Sequence, residues 1–154
     1  RFAVEHMNSA LEFVKEAKAR LNLNGQLLVT EYFCEFTDED NEEWKLFRQC
    51  EMHLYKEVGS NAKVPLILPK VFKEAGFNEI NSYFLHISPS TEGEKNFYSL
   101  IKSYIDGYCQ ICPNVFTERV MTTLKDYFNQ SERKNNESED RILVSRTIGR
   151  LQQL

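Results

Sequence analysis

A short, nearly continuous apolar segment at residues 26–33 constrains the fold of this chain more than any other feature. Its sequence, QLLVTEYF, combines aliphatic, β-branched and aromatic residues, which favour β-strands. A run that is apolar at odd and even positions is typical of a strand that is buried on both faces of a sheet. Asn24 and Gly25 stand immediately before it, and both residues tolerate the positive φ that ends a helix. We therefore predict a helix, a tight turn and a buried strand.

The rest of the chain alternates between helical and strand patterns. Ser9 and Glu12 form a capping box in front of a stretch with helical spacing. Residues 37–41 are polar and are predicted to be a loop or the start of a helix, and the polar residues 131–140 are a predicted loop. Helices are predicted at 10–21, 42–58, 69–75 and 94–105 and from Pro113 onward, and strands at 26–33, 79–87 and 142–148. This rhythm indicates an α/β fold with helices on the faces of a sheet.

Composition narrows the classes of partner. The net charge is −4, whereas binding to nucleic acid through phosphates needs clustered lysine and arginine. No apolar stretch is long enough to span a bilayer. The first residues do not have the pattern of a signal peptide and resemble the interior of a domain. We therefore expect no nucleic-acid or membrane partner, a cytoplasmic location and a chain that is part of a longer protein.

The four cysteines predict neither a metal site nor a redox site. Cys109 and Cys112 form a single close pair, whereas a structural zinc site usually takes two such pairs. The pair follows a predicted helix end near Tyr108, whereas a redox C-x-x-C normally opens a helix. We expect free thiols and no metal.

Two helix-to-strand corners carry a resemblance to a known family. Residues 21–31, LNLNGQLLVTE, and 71–80, VFKEAGFNEI, resemble segments of class I S-adenosylmethionine-dependent methyltransferases. In that family a glycine turn leads into the fifth strand and an Ala-Gly-Phe corner leads into the sixth. Here Asn24 replaces one of the usual paired glycines. Residues 2–7 are similar to the tail of the fourth strand and its loop, and residues 141–150 to the seventh strand, which lies antiparallel beside the sixth.

The resemblance implies a Rossmann-like methyltransferase sheet, of which residues 1–154 form the C-terminal part. It also implies a helical cap inserted at residues 88–140, which in this family shapes the acceptor pocket or a homodimer surface. The implied cofactor is S-adenosylmethionine, and the implied partner is a small-molecule acceptor. The sequence contains no glycine-rich turn of the kind that holds this cofactor. We therefore do not expect tight cofactor binding by this chain alone.

The resemblance places Glu5, His6 and Met7 beside the sulfonium of the cofactor. His6 is the best candidate for a general base, because imidazole side chains titrate near neutrality. The alternative is that His6 orients a loop or caps the next helix together with Asn8 and Ser9.

A second group of candidates lies at the end of the first strand. Glu31, Tyr32 and Phe33 are predicted to line the acceptor pocket, where an aromatic ring can attract a cationic amine. The alternative is that Tyr32 and Phe33 only pack against helices. His53 and His86 have patterns typical of structural residues.

Three hypotheses about function remain at this stage. The first is a small-molecule methyltransferase, and the second is a catalytically inactive methyltransferase-like module that binds other proteins. The third is an unrelated α/β binding domain with coincidental helix stops. The methyltransferase hypotheses predict that the strands at Gln26 and Glu79 are parallel neighbours and that the last strand is antiparallel.

Overall fold

A computed structural model describes residues 4–33, 41–88, 93–133 and 142–151 of the chain. These residues belong to two compact units. The first, called the sheet unit, comprises Arg1–Phe33, Ser60–Leu85 and Leu143–Leu154. The second, called the helical unit, comprises Cys34–Gly59 and His86–Ile142. Residues 37–40 and 134–140 of the predicted loops lie outside the described residues, as do residues 2 and 3 of the predicted strand tail. Residues 131–133 belong to a predicted loop but are helical, so the predicted start of this loop is wrong.

The elements follow the predicted alternation of helices and strands. In chain order they are a 3₁₀ turn at Val4–His6, α1 at Ala10–Ala19, β1 at Gln26–Phe33, α2 at Glu42–Glu57, α3 at Val64–Glu74, β2 at Glu79–Ile87, α4 at Glu94–Ile111, α5 at Glu118–Arg133 and β3 at Ile142–Arg150. In the described parts of the chain, no helix combines the length and the apolar character needed to cross a membrane.

The three strands form one sheet in the order β1-β3-β2. The last strand is antiparallel to β1, with a register that runs from Gln26↔Arg150 to Phe33↔Leu143. On its other edge, β3 contacts β2 through Ser82–Thr147 and Glu79–Arg150, and these pairs progress in opposite directions along the two strands. The strands β1 and β2 therefore run the same way, but the prediction that they are neighbours is wrong because β3 lies between them.

Burial explains why β3 takes the central position. Ser145 and Thr147 of β3 are fully buried, and Val144 is 3% exposed. In contrast, most residues of β2 are exposed, so this strand suits an edge. Near the end of β3, Gly149 packs against the rings of Phe72 and Phe77, and a side chain at this position would clash with both rings.

Helices α1 and α3 cover one face of the sheet with a single apolar cluster. Its members are mainly aliphatic and phenylalanine side chains: Val4, Val14, Val29, Val64, Leu68, Val71, Phe72, Ala75 and Phe77. The backbone of Asn24 has a φ of 62° and that of Gly76 has a φ of 83°, which confirms the predicted positive-φ corners before β1 and β2. Lys18 of α1 donates to the carbonyl oxygens of Ala75 and Gly76, at 2.8 Å each, and so joins the two helix ends.

Three predicted helix boundaries are wrong. Helix α3 begins at Val64 with Pro65 in its first turn, and Pro69 lies inside the helix. Proline at the first turn loses no helical hydrogen bond, so Pro65 makes the better start. Helix α4 continues through Gly107 to Ile111, and α5 begins at Glu118 after a turn that follows Pro113.

The close approach at Gly149 leads to a first prediction. We expect Gly149→Ala to lower the free energy of unfolding by about 1–3 kcal/mol, because the added methyl overpacks a filled core. The new Cβ would contact the ring of Phe72 and would lie 2.7 Å from the ring of Phe77, and both rings are buried. Urea denaturation measures the change. Gly107→Ala is the matched control, since a Cβ there meets no atom within 4 Å, and an equal loss in both variants would contradict this explanation.

The second unit consists of α2, α4 and α5 and has an aromatic core. The ring of Trp44 packs edge-on against Phe47 and Phe128, with centroid distances of 5.7 and 4.9 Å. Glu51 is fully buried and accepts a hydrogen bond of 2.8 Å from the Tyr108 hydroxyl. Arg48 forms an ion pair with the same carboxylate, so the charge of Glu51 is compensated inside the unit.

Three described cysteines of this unit, Cys50, Cys109 and Cys112, are free thiols. Cys109 lies in the last turn of α4 and Cys112 caps its C-terminus, while Cys34 lies outside the described residues. Burial raises the pKa of the Cys50 thiol, which lowers its nucleophilicity at neutral pH.

Candidate functional site

The 3₁₀ turn that carries the first group of predicted site residues contacts the second group near the end of β1. The backbone N–H of Val4 donates to Oε1 of Glu31 at 2.8 Å, across 27 positions of the sequence. The Glu31 side chain is fully buried, and Val4 is 2% exposed within the apolar cluster of the sheet unit. Glu31 of β1 therefore anchors to the sheet the 3₁₀ turn that contains His6.

Alternation along β1 directs its last residues to opposite faces of the sheet. Glu31 and Phe33 share the face on which the ring of Phe33 lies 5.2 Å from that of Phe84. Tyr32 points the other way and is 4% exposed. The carbonyl oxygen of Glu31 also accepts a hydrogen bond of 3.4 Å from the Ser145 hydroxyl, which ties this end of β1 to β3.

The turn itself presents side chains to solvent. His6 is exposed, and its Nδ1 lies 2.6 Å from Oγ of Ser60, which precedes α3. Met7 is 45% exposed, and its backbone N–H closes the turn by donating to the carbonyl oxygen of Val4 at 3.1 Å. The side chain of Glu5 lies outside the described part of the chain.

This arrangement is chemically competent for proton transfer. The imidazole of His6 contacts a hydroxyl through one nitrogen, and the backbone of Val4, two residues earlier in the same turn, donates to a buried carboxylate. Fixing a base in this way reduces the freedom that it must lose when it meets a reacting group. Glu31, predicted to line an acceptor pocket, accepts a hydrogen bond from the backbone N–H of Val4.

Sequence reasoning missed two parts of this site. A carboxylate inside the apolar run 26–33 does signal a buried acceptor of hydrogen bonds, but nothing local identifies Val4 as its donor. Ser60 follows a glycine in a helix-ending turn and has no local feature that distinguishes it from other loop serines. Both contacts join segments that are far apart in sequence.

The anchor at Glu31 leads to a second prediction. We expect Glu31→Ala to destabilise the chain by about 1–3 kcal/mol, because the buried N–H of Val4 loses its acceptor. The exchange of the Val4 amide proton, followed by NMR, should become faster. Glu31→Gln keeps an oxygen in place and should preserve slow exchange, whereas equal effects of both substitutions would show that the acceptor does not hold the turn.

The two other histidines and the described surface depression lie elsewhere in the chain. His53 is exposed on α2 and lies 3.4 Å from the Glu57 carboxylate, and His86 is exposed near the end of β2. An open depression of about 410 Å³ on α5 is lined by Glu118, Arg119, Thr122, Thr123 and Asp126, and it includes none of the predicted site residues. Within the described ranges, no cluster of three or more His, Cys, Asp or Glu side chains could hold a metal ion.

Comparison with solved structures identifies the class of protein that shares this fold. The chain is similar to S-adenosylmethionine-dependent methyltransferases over 99% of its own length. One such structure is phosphoethanolamine N-methyltransferase 2 of Haemonchus contortus in complex with phosphomonomethylethanolamine and S-adenosylhomocysteine, and another is a selenomethionine form of this enzyme with S-adenosyl-L-methionine. Each match has a TM-score of 0.51 and 14% sequence identity.

The extent of these matches defines what they establish. At 14% identity the likeness concerns the fold alone, and this chain covers only 32% of each neighbour. No protein-family model and no curated protein sequence matches the chain. The fold shared with methyltransferases agrees with the resemblance seen at the corners before β1 and β2.

Proposed function

We propose that this chain forms part of an S-adenosylmethionine-dependent methyltransferase that acts on a small-molecule acceptor, with His6 as the general base. One observation carries the proposal: the turn with His6 is anchored by Glu31 to the end of β1, within a fold similar to methyltransferases. In open α/β sheets, ligands bind outside the carboxyl ends of strands, and β1 ends at Phe33. The proposal therefore rests on a turn fixed beside the expected ligand edge.

The residues of the turn fit one side of the cofactor. Met7 and His6 expose an apolar thioether and an imidazole, which suit contact with the methyl-bearing end of S-adenosylmethionine, and Glu5 is proposed to join them. The cofactor, when bound, supplies an electrophilic methyl group. No two of the six glycines form the G-x-G spacing that would cradle its methionine part. We therefore propose that this chain contributes to the cofactor site without binding the cofactor tightly alone.

The chain's own residues then perform two tasks. His6 removes a proton from the acceptor atom through Nε2, because Nδ1 is engaged by Ser60. Tyr32 and Phe33 are proposed to border the acceptor pocket at the end of β1, each from its own face of the sheet, and both are almost completely buried. General bases of this kind typically contribute about 10²–10⁴-fold to a rate.

The acceptor is proposed to be a small amine. The Haemonchus neighbour binds phosphomonomethylethanolamine, an amine that carries a phosphate, and this observation selects the first compounds to test. Radiolabelled methyl transfer should be measured with the full-length product of the gene and a panel of phosphorylated and unphosphorylated amines. Labelling of at least one amine that is lost in His6→Ala supports the proposal, whereas an absence of labelling with every amine contradicts it.

An inactive methyltransferase-like module that binds proteins is the second candidate function. These 154 residues contain no glycine-rich turn, which favours this function if no other segment of the protein supplies one. Under this hypothesis, the full-length product would not bind S-adenosylhomocysteine. His6→Ala would then cause no loss of methyl transfer, because the wild type would transfer none.

A further inference from the structure

The contact between His6 and Ser60 joins two segments that the sequence gives no reason to associate. Nδ1 of His6 lies 2.6 Å from Oγ of Ser60, a short distance for a hydrogen bond, and the residues are 54 positions apart. His6 belongs to the turn anchored by Glu31, while Ser60 belongs to the connection that leads into α3. Both segments are part of the sheet unit.

The position of Ser60 is fixed independently of His6. The next residue, Asn61, accepts hydrogen bonds from the backbone N–H groups of Lys63 and Val64, at 2.9 and 3.1 Å. Val64 then begins α3 and is 2% exposed within the apolar cluster. The hydroxyl of Ser60 is therefore presented to the imidazole by a turn that is tied to the core.

The chemistry of imidazole gives this contact a consequence. A neutral histidine carries its proton on one nitrogen and a lone pair on the other. A serine hydroxyl can accept from the first or donate to the second, so the contact fits either arrangement. When Oγ of Ser60 accepts from the Nδ1–H group, the lone pair resides on Nε2. After Nε2 has taken a proton from an acceptor, the Nδ1–H group still donates to Ser60, so the same contact serves both protonation states.

We propose that Ser60 is a positioning residue for His6: its hydroxyl accepts from Nδ1–H, which holds the ring in place and puts the lone pair on Nε2, the proton-accepting atom of the proposed function. This inference rests on the proposed function of His6 as a general base. Ser60 touches neither the acceptor nor the cofactor in this scheme and acts only through the imidazole.

The first test reads the contact directly and needs no enzymatic activity. Long-range ¹⁵N–¹H correlation spectra of the chain report which imidazole nitrogen of His6 carries the proton. We expect the Nδ1–H form in the wild type, a shift toward the Nε2–H form in Ser60→Ala, and recovery of the Nδ1–H form in Ser60→Thr. Ser103→Ala is the control, because this hydroxyl donates to the carbonyl oxygen of Leu100 within its own helix, at 2.7 Å. An identical proton position in the wild type and Ser60→Ala would overturn the proposal.

The second test measures methyl transfer by the full-length gene product. Ser60→Ala should lower kcat roughly 10-fold and leave KM unchanged, the size expected for one lost hydrogen bond, and Ser60→Thr should restore it. The double variant with His6→Ala should be no slower than His6→Ala alone, because Ser60 acts through His6. Additive losses would overturn the positioning role. A wild-type product without methyl transfer would instead overturn the proposed function, and the spectra distinguish that failure from the loss of the contact itself.

Discussion

Replacing His6 by alanine is expected to lower the turnover number of the full-length gene product by about 10²–10⁴-fold, the contribution typical of a positioned general base. The turn that holds His6 is anchored through Val4 to Glu31, so removing the exposed imidazole should leave the fold intact. Steady-state rates of methyl transfer with a saturating acceptor measure the effect. Circular dichroism of the variant should match that of the wild type.

The control for this experiment is a histidine of similar exposure. His53 lies on α2 and pairs with Glu57 across one helical turn. His53→Ala should change the turnover number less than about twofold, since an exposed pair of this kind contributes little. Equal rates in the wild type and His6→Ala would remove His6 from the mechanism and leave the acceptor without an identified base.

The largest effect on stability is expected from Trp44→Ala, at about 3–5 kcal/mol. Trp44 is 1% exposed and touches the rings of Phe47 and Phe128, and its deletion leaves a cavity between α2 and α5. Urea denaturation should be followed by circular dichroism, because Trp44 is the single tryptophan of the sequence and its fluorescence disappears in the variant.

Met52→Ala is the matched control on the same helix. Met52 is 43% exposed, so its truncation should cost no more than about 0.5 kcal/mol. A small loss in both variants would mean that the aromatic cluster does not stabilise the helical unit.

Local chemistry explains the parts of the fold that were predictable. The bounds of β1 and β2 follow from residues that end helices by adopting positive φ, namely Asn24 and Gly76. The prediction that α4 ends near residue 105 is wrong for a physical reason as well. Gly107 lies inside the helix, and a glycine there weakens a helix without breaking it. A helix or strand boundary that depends on the backbone preference of a single residue can therefore be predicted from the sequence.

Contacts between distant segments explain what was not predictable. The central place of β3 depends on which strand can bury both faces, and Ser145 and Thr147 are buried although both are polar. The hydrogen bond from the N–H of Val4 to Glu31 and the contact between His6 and Ser60 join segments that are distant in sequence. Both therefore form only when the sheet unit folds. The predicted roles of Tyr32 and Phe33 at an acceptor pocket stay predictions, and their burial limits them to the wall of such a pocket.

The most direct test of the methyltransferase proposal is the binding of S-adenosylhomocysteine, measured by titration calorimetry on the 154-residue chain and on the full-length product of its gene. We predict that the full-length product binds and that the chain alone binds weakly or not at all, because its sequence has no glycine-rich turn. An absence of binding by the full-length product would contradict the proposal and favour an inactive module with a methyltransferase-like fold.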